Sequence, residues 1–191
     1  MSEGVIDMLK KIFGHFFTIM KHKIKVFGLC CRAGIPFRGF MHDWSKLSPT
    51  EFWESVKYYN GKKSPIGACI RENGYSKAWL HHKGRNKHHY QYWYDENIPG
   101  KMPIIPYKYV VEMICDNLAA GMTYLGKNWT NEYQLNYWMG LRTRTVINPV
   151  IDQVLIEVFT RVSKEGIKPV IKKKVLTEIY DKAIVECSRR K

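Results

Sequence analysis

The sequence predicts an all-α protein, a single-domain helical bundle, on three observations. Apolar residues recur near the 3.6-residue period in several long segments, helix start and stop residues flank those segments, and no stretch alternates as a half-buried strand would. With 191 residues, 45% hydrophobic and 25% charged, the chain is long enough for one core and its composition excludes general disorder.

The elements follow in order. Val5, Met8, Leu9, Ile12, Phe16, Ile19 and Met20 form an apolar stripe that continues through Ile24 and Phe27 until Gly34 and Pro36 stop it. Ser48-Pro49-Thr50-Glu51 opens a second helix: Ser48 can cap, Pro49 suits the first helical position and Glu51 completes a capping box. That helix reaches about Tyr59, where Asn60-Gly61-Lys62-Lys63 turns the chain. A third helix is expected from about Tyr75 to Tyr94 despite Gly84, then a Pro/Gly-containing loop over Ile98–Pro106. Tyr107–Leu125 is helical on the stripe Val111, Ile114, Leu118, Met122 and Leu125. Asn148-Pro149 starts the next helix, which Gly166 ends, and Pro169–Cys187 makes a last basic helix. Residues 1–165 are thus expected to form the main helical domain, and 166–191 a basic C-terminal helix packed on it or extending from it.

Lys plus Arg total 31 against 17 Asp plus Glu, a net charge of +14, which points to an anionic partner: a nucleotide, a nucleic acid or a phosphate-rich surface. Five cysteines without a CxxC pattern read as reduced thiols, and hence a cytoplasmic setting. The longest N-terminal run free of Lys, Arg, Asp and Glu is Ile12–Met20, too short to span a bilayer, so no membrane insertion is expected.

All seven histidines lie within the first 89 residues, and imidazole beside carboxylate is the usual donor set for zinc and other transition metals. Met41-His42-Asp43-Trp44-Ser45-Lys46 offers adjacent nitrogen and oxygen donors, with Lys46 placed to meet a phosphate oxygen nearby. In Trp79–Trp93, residues Trp79, His82, Asn86, His89 and Trp93 are spaced 3, 4, 3 and 4 apart, one face of a continuous helix. On that ground His82 and His89 are the expected ligands, while His81 and His88 become second-layer groups or substrate contacts. No acidic residue lies between Glu72 and Asp95, so Lys83, Arg85 and Lys87 present uncompensated charge for a substrate, and Asn86 could orient water or a ligand. His22, seven residues after His15, and Asp116, in an otherwise apolar segment beside Ala119 and Ala120, could complete the set, because a buried carboxylate is costly unless paired or metal-bound.

The order His22, His42-Asp43, Asp116 resembles the H…HD…D pattern of the HD-domain superfamily of metal-dependent phosphohydrolases, and the histidines between resemble its two-metal branch. His42-Asp43-Trp44-Ser45-Lys46 resembles that branch's HD-x-G-K form, with Ser45 where glycine is usual. HDWSKLSPTEFW, HHKGRNKHHYQYW and EMICDN are more closely similar to a bacterial and phage family of HD-like proteins without an assigned reaction, over about residues 15–165. The resemblance implies an HD-type helical domain that hydrolyses a nucleotide or other phosphate ester. His22, His42, Asp43 and Asp116 would hold one divalent ion, and His82 and His89 a second, with Asp43 bridging. Manganese, iron, cobalt, nickel and zinc are not distinguished. Asp43 and Lys46 would act at the reacting phosphate, and His81 or His88 would protonate the leaving oxygen.

Three other readings stand beside this one. The same donors could hold two irons for oxygen-dependent cleavage. The basic runs Lys172-Lys173-Lys174 and Ser188-Arg189-Arg190-Lys191 suit a nucleic-acid-binding helical protein, which would leave the His/Asp clustering without a reason. A purely structural metal site ranks last, since such zinc sites favour closely spaced cysteines.

Overall fold

The computed structural model describes residues 2–189. Ten α-helices account for most of it, and no strand occurs among the described residues. They are α1 (Glu3–Arg32), α2 (Pro36–Met41), α3 (Pro49–Lys57), α4 (Pro65–Asn73), α5 (Lys77–Arg85), α6 (Tyr107–Leu125), α7 (Tyr133–Arg142), α8 (Pro149–Glu165), α9 (Ile167–Val170) and α10 (Lys173–Ser188). Short 3₁₀ turns cover Trp44–Leu47, Tyr90–Trp93 and Gly126–Asn128.

Local chemistry sets many of the boundaries. Gly34 takes φ +78° after α1, a conformation cheap for glycine, and Pro36 starts α2 in a new direction. Ser48 accepts the Glu51 amide at the start of α3, and Asn148 accepts the Val150 amide at the start of α8. The capping box at α3 is only half made, because the Glu51 carboxylate turns inward to His81 and His82.

Three departures from the sequence expectation matter. The helix expected over Tyr75–Tyr94 ends at Arg85: Asn86 is extended, and the His82 carbonyl accepts both its backbone amide at 3.1 Å and its side-chain amide at 2.8 Å. The helix expected over Pro169–Cys187 is two pieces, α9 and α10, broken at Ile171-Lys172. Helices α2, α4 and α7 fall outside the segments expected to be helical. Arg190 and Lys191 of the last basic run lie outside the described residues.

The core is built from the C-terminal half of α1, from α6, α8 and α10, and from Trp138 of α7. Phe159, Leu155, Ile151, Ile114 and Leu118 are fully buried there; truncating Phe159 to alanine would cost about 3–5 kcal/mol. Leu176, Ile179, Tyr180 and Ala183 of α10 join the same core, and the Tyr180 hydroxyl donates to the Ile105 carbonyl at 2.8 Å. The basic C-terminal helix is therefore packed on the bundle. The N-terminal half of α1 leaves this core and, with α3, α5 and α6, encloses a second, polar interior.

Candidate metal centre

Asp43 is the hub of that polar interior. It follows α2 in the left-handed conformation, φ 54° and ψ 31°, which aspartate tolerates better than most residues. This backbone turn carries a fully buried carboxylate into the space between α1, α5 and α6. Asp43 Oδ1 lies 3.4 Å from His82 Nε2 and 3.3 Å from His88 Nε2, while Oδ2 lies 3.2 Å from His42 Nε2 and 2.6 Å from Lys46 Nζ. His22 Nε2 stands 3.0 Å from Asp116 Oδ1, and His42 Nε2 3.5 Å from the same oxygen.

Of three groups of convergent donors among the described residues, one is His42, His88 and Glu112 and the other two share Asp43. Of those two, one is His22, His42, Asp43 and Asp116 and the other is Asp43, His82, His88 and His89; in each, one ligand atom per residue lies within 4.8 Å of every other. His22 Nε2, His42 Nε2, His88 Nε2, His89 Nε2 and both Asp43 oxygens are buried without a properly angled hydrogen bond, although several of them approach at ion-pair distance. Convergent buried donors of this kind are the chemistry a divalent cation satisfies, so the residues fit a metal.

The opposite ring edges support this. His42 Nδ1 and His88 Nδ1 lie 3.1 and 3.2 Å from Glu112 Oε1, and His82 Nδ1 lies 2.7 Å from Glu51 Oε2. Burial would raise the Glu112 pKa, but His42 and His88 hold it at about 2, so it accepts hydrogen bonds and each Nδ1–H donates. Both rings thereby turn Nε2 toward Asp43, the carboxylate–histidine arrangement common behind metal ligands, and a cation bound there would displace the Nε2 proton. Arg38 closes the layer, its Nη2 2.5 Å from Glu112 Oε2.

Electrostatics keep the hub ionised. Burial alone would raise the Asp43 pKa, but His42, Lys46, His82 and His88 hold it well below the usual carboxylate range. Burial alone would lower the His42 pKa, yet Asp43, Asp116 and Glu112 hold it well above ordinary imidazole. Burial pushes the pKa values of His22 and His89 down, with the Asp116 carboxylate opposing it at both rings.

A cavity of about 280 Å³ opens beside this cluster, with His22, Lys46, His82, His89 and Asp116 on one wall and Trp79, Ala120, Tyr124 and Tyr137 on others. His15, left out of the sequence-based ligand set, also lines it, buried against the rings of Phe52 and Tyr59. A neighbouring hollow shares Ser64, Ala120, Tyr124 and Tyr137 and adds Lys62 and Lys63.

The structure brings His22, His42, Asp43, Lys46, His82, His89 and Asp116 together. The reason given for pairing His82 with His89 does not stand, since the break at Asn86 means they share no helical face. The same break brings His88, which a continuous helix would aim elsewhere, to 3.3 Å from Asp43. His88 belongs among the donors, whereas His81 bonds Glu51 at 2.6 Å behind them and does not line the cavity. Lys83, Arg85, Asn86 and Lys87 do not line it either: Arg85 and Lys87 are exposed, and Asn86 ties Ser45 to the end of α5. Sequence reasoning missed Glu51 and Glu112. Glu112 had a signal, lying four residues before Asp116 on one helix face; Glu51 was absorbed into the capping reading.

Fold and site together define an all-helical protein with a buried His/Asp cluster suited to holding metal. The chain belongs to the family of unknown function DUF5662, whose family model matches residues 11–161. No curated protein and no solved structure matches it.

Proposed function

We propose that this protein is a metal-dependent phosphohydrolase of HD-domain type, acting on a nucleotide or other phosphate ester at a dinuclear His/Asp centre. The observation that carries the reading is the position of Asp43, one oxygen turned to His82 and His88 and the other to His42. A carboxylate so shared suits a bridge between two cations. His22, His42 and Asp116 would complete one site, and His82, His88 and His89 the other. Two divalent ions there would supply an activated water and positive charge for in-line phosphoryl transfer.

The chain's own residues have defined tasks around them. Lys46, held against Asp43, brings a fixed positive charge to the cavity wall for a phosphate oxygen. Glu112 and Glu51 fix the tautomers and orientation of His42, His88 and His82. Ser45, in the place where the resemblance has glycine, sits 3.2 Å from His82 Nδ1 and accepts from Asn86, holding the end of α5 against the hub. Trp79, Tyr124 and Tyr137 offer apolar surface for the rest of the substrate.

The test is hydrolysis of a phosphomonoester, phosphodiester and nucleotide panel by protein loaded in turn with manganese, iron, cobalt, nickel and zinc. The expected result is turnover with at least one metal, reduced by roughly 10³-fold or more in Asp43→Asn. Loss of metal in Asp43→Asn without any phosphate-ester turnover by the wild type would overturn the reaction while leaving the centre. Oxygen consumption by the iron form alone would turn the assignment to a di-iron oxygenase.

A further inference from the structure

The outer face of α1 is apolar, aromatic and uncovered. Phe13 and Phe17 are 57% and 64% exposed and Ile24 is 68% exposed, all on the side of α1 away from the cavity-lining His15, Thr18 and His22. The face does not stop at α1. Gly39 lets α2 lie directly on it, since a Cβ there would meet Cys30 Cβ at 2.5 Å and the Phe27 backbone at 3.1 Å. Phe37 and Phe40 extend the surface at 75% and 57% exposure, and the Phe40 ring packs edge-on to Trp44 at 6.2 Å. Single exposed apolar residues are ordinary on a protein surface, but a contiguous set of large ones marks an interaction site.

The charge around this face selects its occupant. In a chain of net charge +14, the acidic residues of α1, Glu3 and Asp7, lie in its first two turns, N-terminal to Phe13. Lys10 and Lys21 are exposed along the edge of the stripe, and no carboxylate of α1 or α2 follows Asp7. A second copy of the chain would set these cations against each other. An anionic lipid surface would instead meet them with phosphate while its acyl region takes up the phenylalanine and isoleucine side chains.

We infer that the outer face of α1 with α2 docks on the surface of an anionic phospholipid bilayer, lying in the interface without crossing it. Among the described residues no helix is long and apolar enough to cross a membrane, so the contact is a surface one. The cavity lies on the other side of α1 and stays open to solutes in this pose.

Cosedimentation of the full chain with phosphatidylcholine vesicles, with and without phosphatidylglycerol, tests this. Binding should require phosphatidylglycerol and weaken with salt. The partition coefficient should fall at least about tenfold in the double variant Phe17→Ser/Ile24→Ser, with an unchanged circular-dichroism spectrum. Lys10→Glu/Lys21→Glu, which alters exposed positions only, should weaken binding similarly and guards against a folding defect in the first variant. Failure to bind phosphatidylglycerol vesicles, equal binding to both vesicle types, or undiminished binding by both variants would overturn the inference. So would a dimer in sedimentation equilibrium that dissociates on Phe17→Ser/Ile24→Ser, which would give the face to a second copy.

Discussion

Glu112 Oε1 lies 3.1 Å from His42 Nδ1, a contact between two buried side chains that fixes which nitrogen of His42 faces Asp43 and Asp116. The same oxygen reaches His88, so one carboxylate orients a donor in each of the two groups. Replacing Glu112 by Gln keeps the shape but weakens the acceptor and frees the tautomers. Metal affinity measured by competition with a chromogenic chelator should fall about 10- to 100-fold. Unchanged affinity would mean that Glu112 serves the fold alone.

Metal stoichiometry separates the two groups. Elemental analysis of wild-type protein purified without chelator should give two equivalents if both groups are filled, and Asp116→Ala and His89→Ala should each retain about half of that metal. Asp43→Ala, which removes the shared carboxylate, should retain almost none. Full loss in Asp116→Ala and none in His89→Ala would reduce the centre to one ion.

His15 makes a prediction about acid stability. Burial, and secondarily the Lys46 charge, lowers its pKa to about 4, against 6.5 for an unperturbed imidazole. The unfolded chain therefore takes up the proton first, and stability falls as pH drops from about 6.5 toward 4. Allowing for solvent screening, the contribution lost between pH 7 and 5 is about 1–2 kcal/mol. His15→Phe should show that much less change in urea-unfolding free energy between these two pH values than the wild type. Equal pH dependence in both proteins would count against the buried neutral imidazole.

Lys62 and Lys63 border the hollow that shares Ser64, Ala120, Tyr124 and Tyr137 with the cavity, on a turn whose amides donate to the Asn60 side chain at 3.0 and 3.2 Å. For a substrate with more than one phosphate, Lys62→Ala/Lys63→Ala should raise KM about tenfold with kcat nearly unchanged. Arg85→Ala, outside both hollows, should leave KM alone. The reverse pattern would restore the α5 cations as the substrate contacts.

Much of the fold was legible because the long helices advertise themselves. α6 runs from Tyr107 to Leu125 as its stripe predicts, and Pro49 and Pro149 mark true helix starts. The short α4 and α7 bury few residues each, Pro65 and Cys69 in one and Gln134 and Trp138 in the other, so nine or ten residues leave little pattern to count. At the site, Asp116 could be picked out because a carboxylate in an apolar helix needs a reason, His42 and Asp43 as an adjacent donor pair, and His22 through the H…HD…D order the chain resembles. His88 could not be placed, because its role depends on the helix break at Asn86, while Glu112 was legible only as the i−4 neighbour of Asp116 on α6. Lys83, Arg85 and Lys87 looked functional by charge alone, and charge on a short helix says nothing about which way the helix faces.

Helix α1 carries His15 and His22 on one side and Phe17 and Ile24 on another within a single uninterrupted run. Each residue of an α-helix turns the chain by about 100°. Deleting or inserting one residue between His15 and His22 would therefore swing one histidine out of register with the other and carry the outward-facing rings round with it. A change of length cannot be absorbed within this stretch, so length variation between relatives belongs in the loops around α1 rather than in the helix itself.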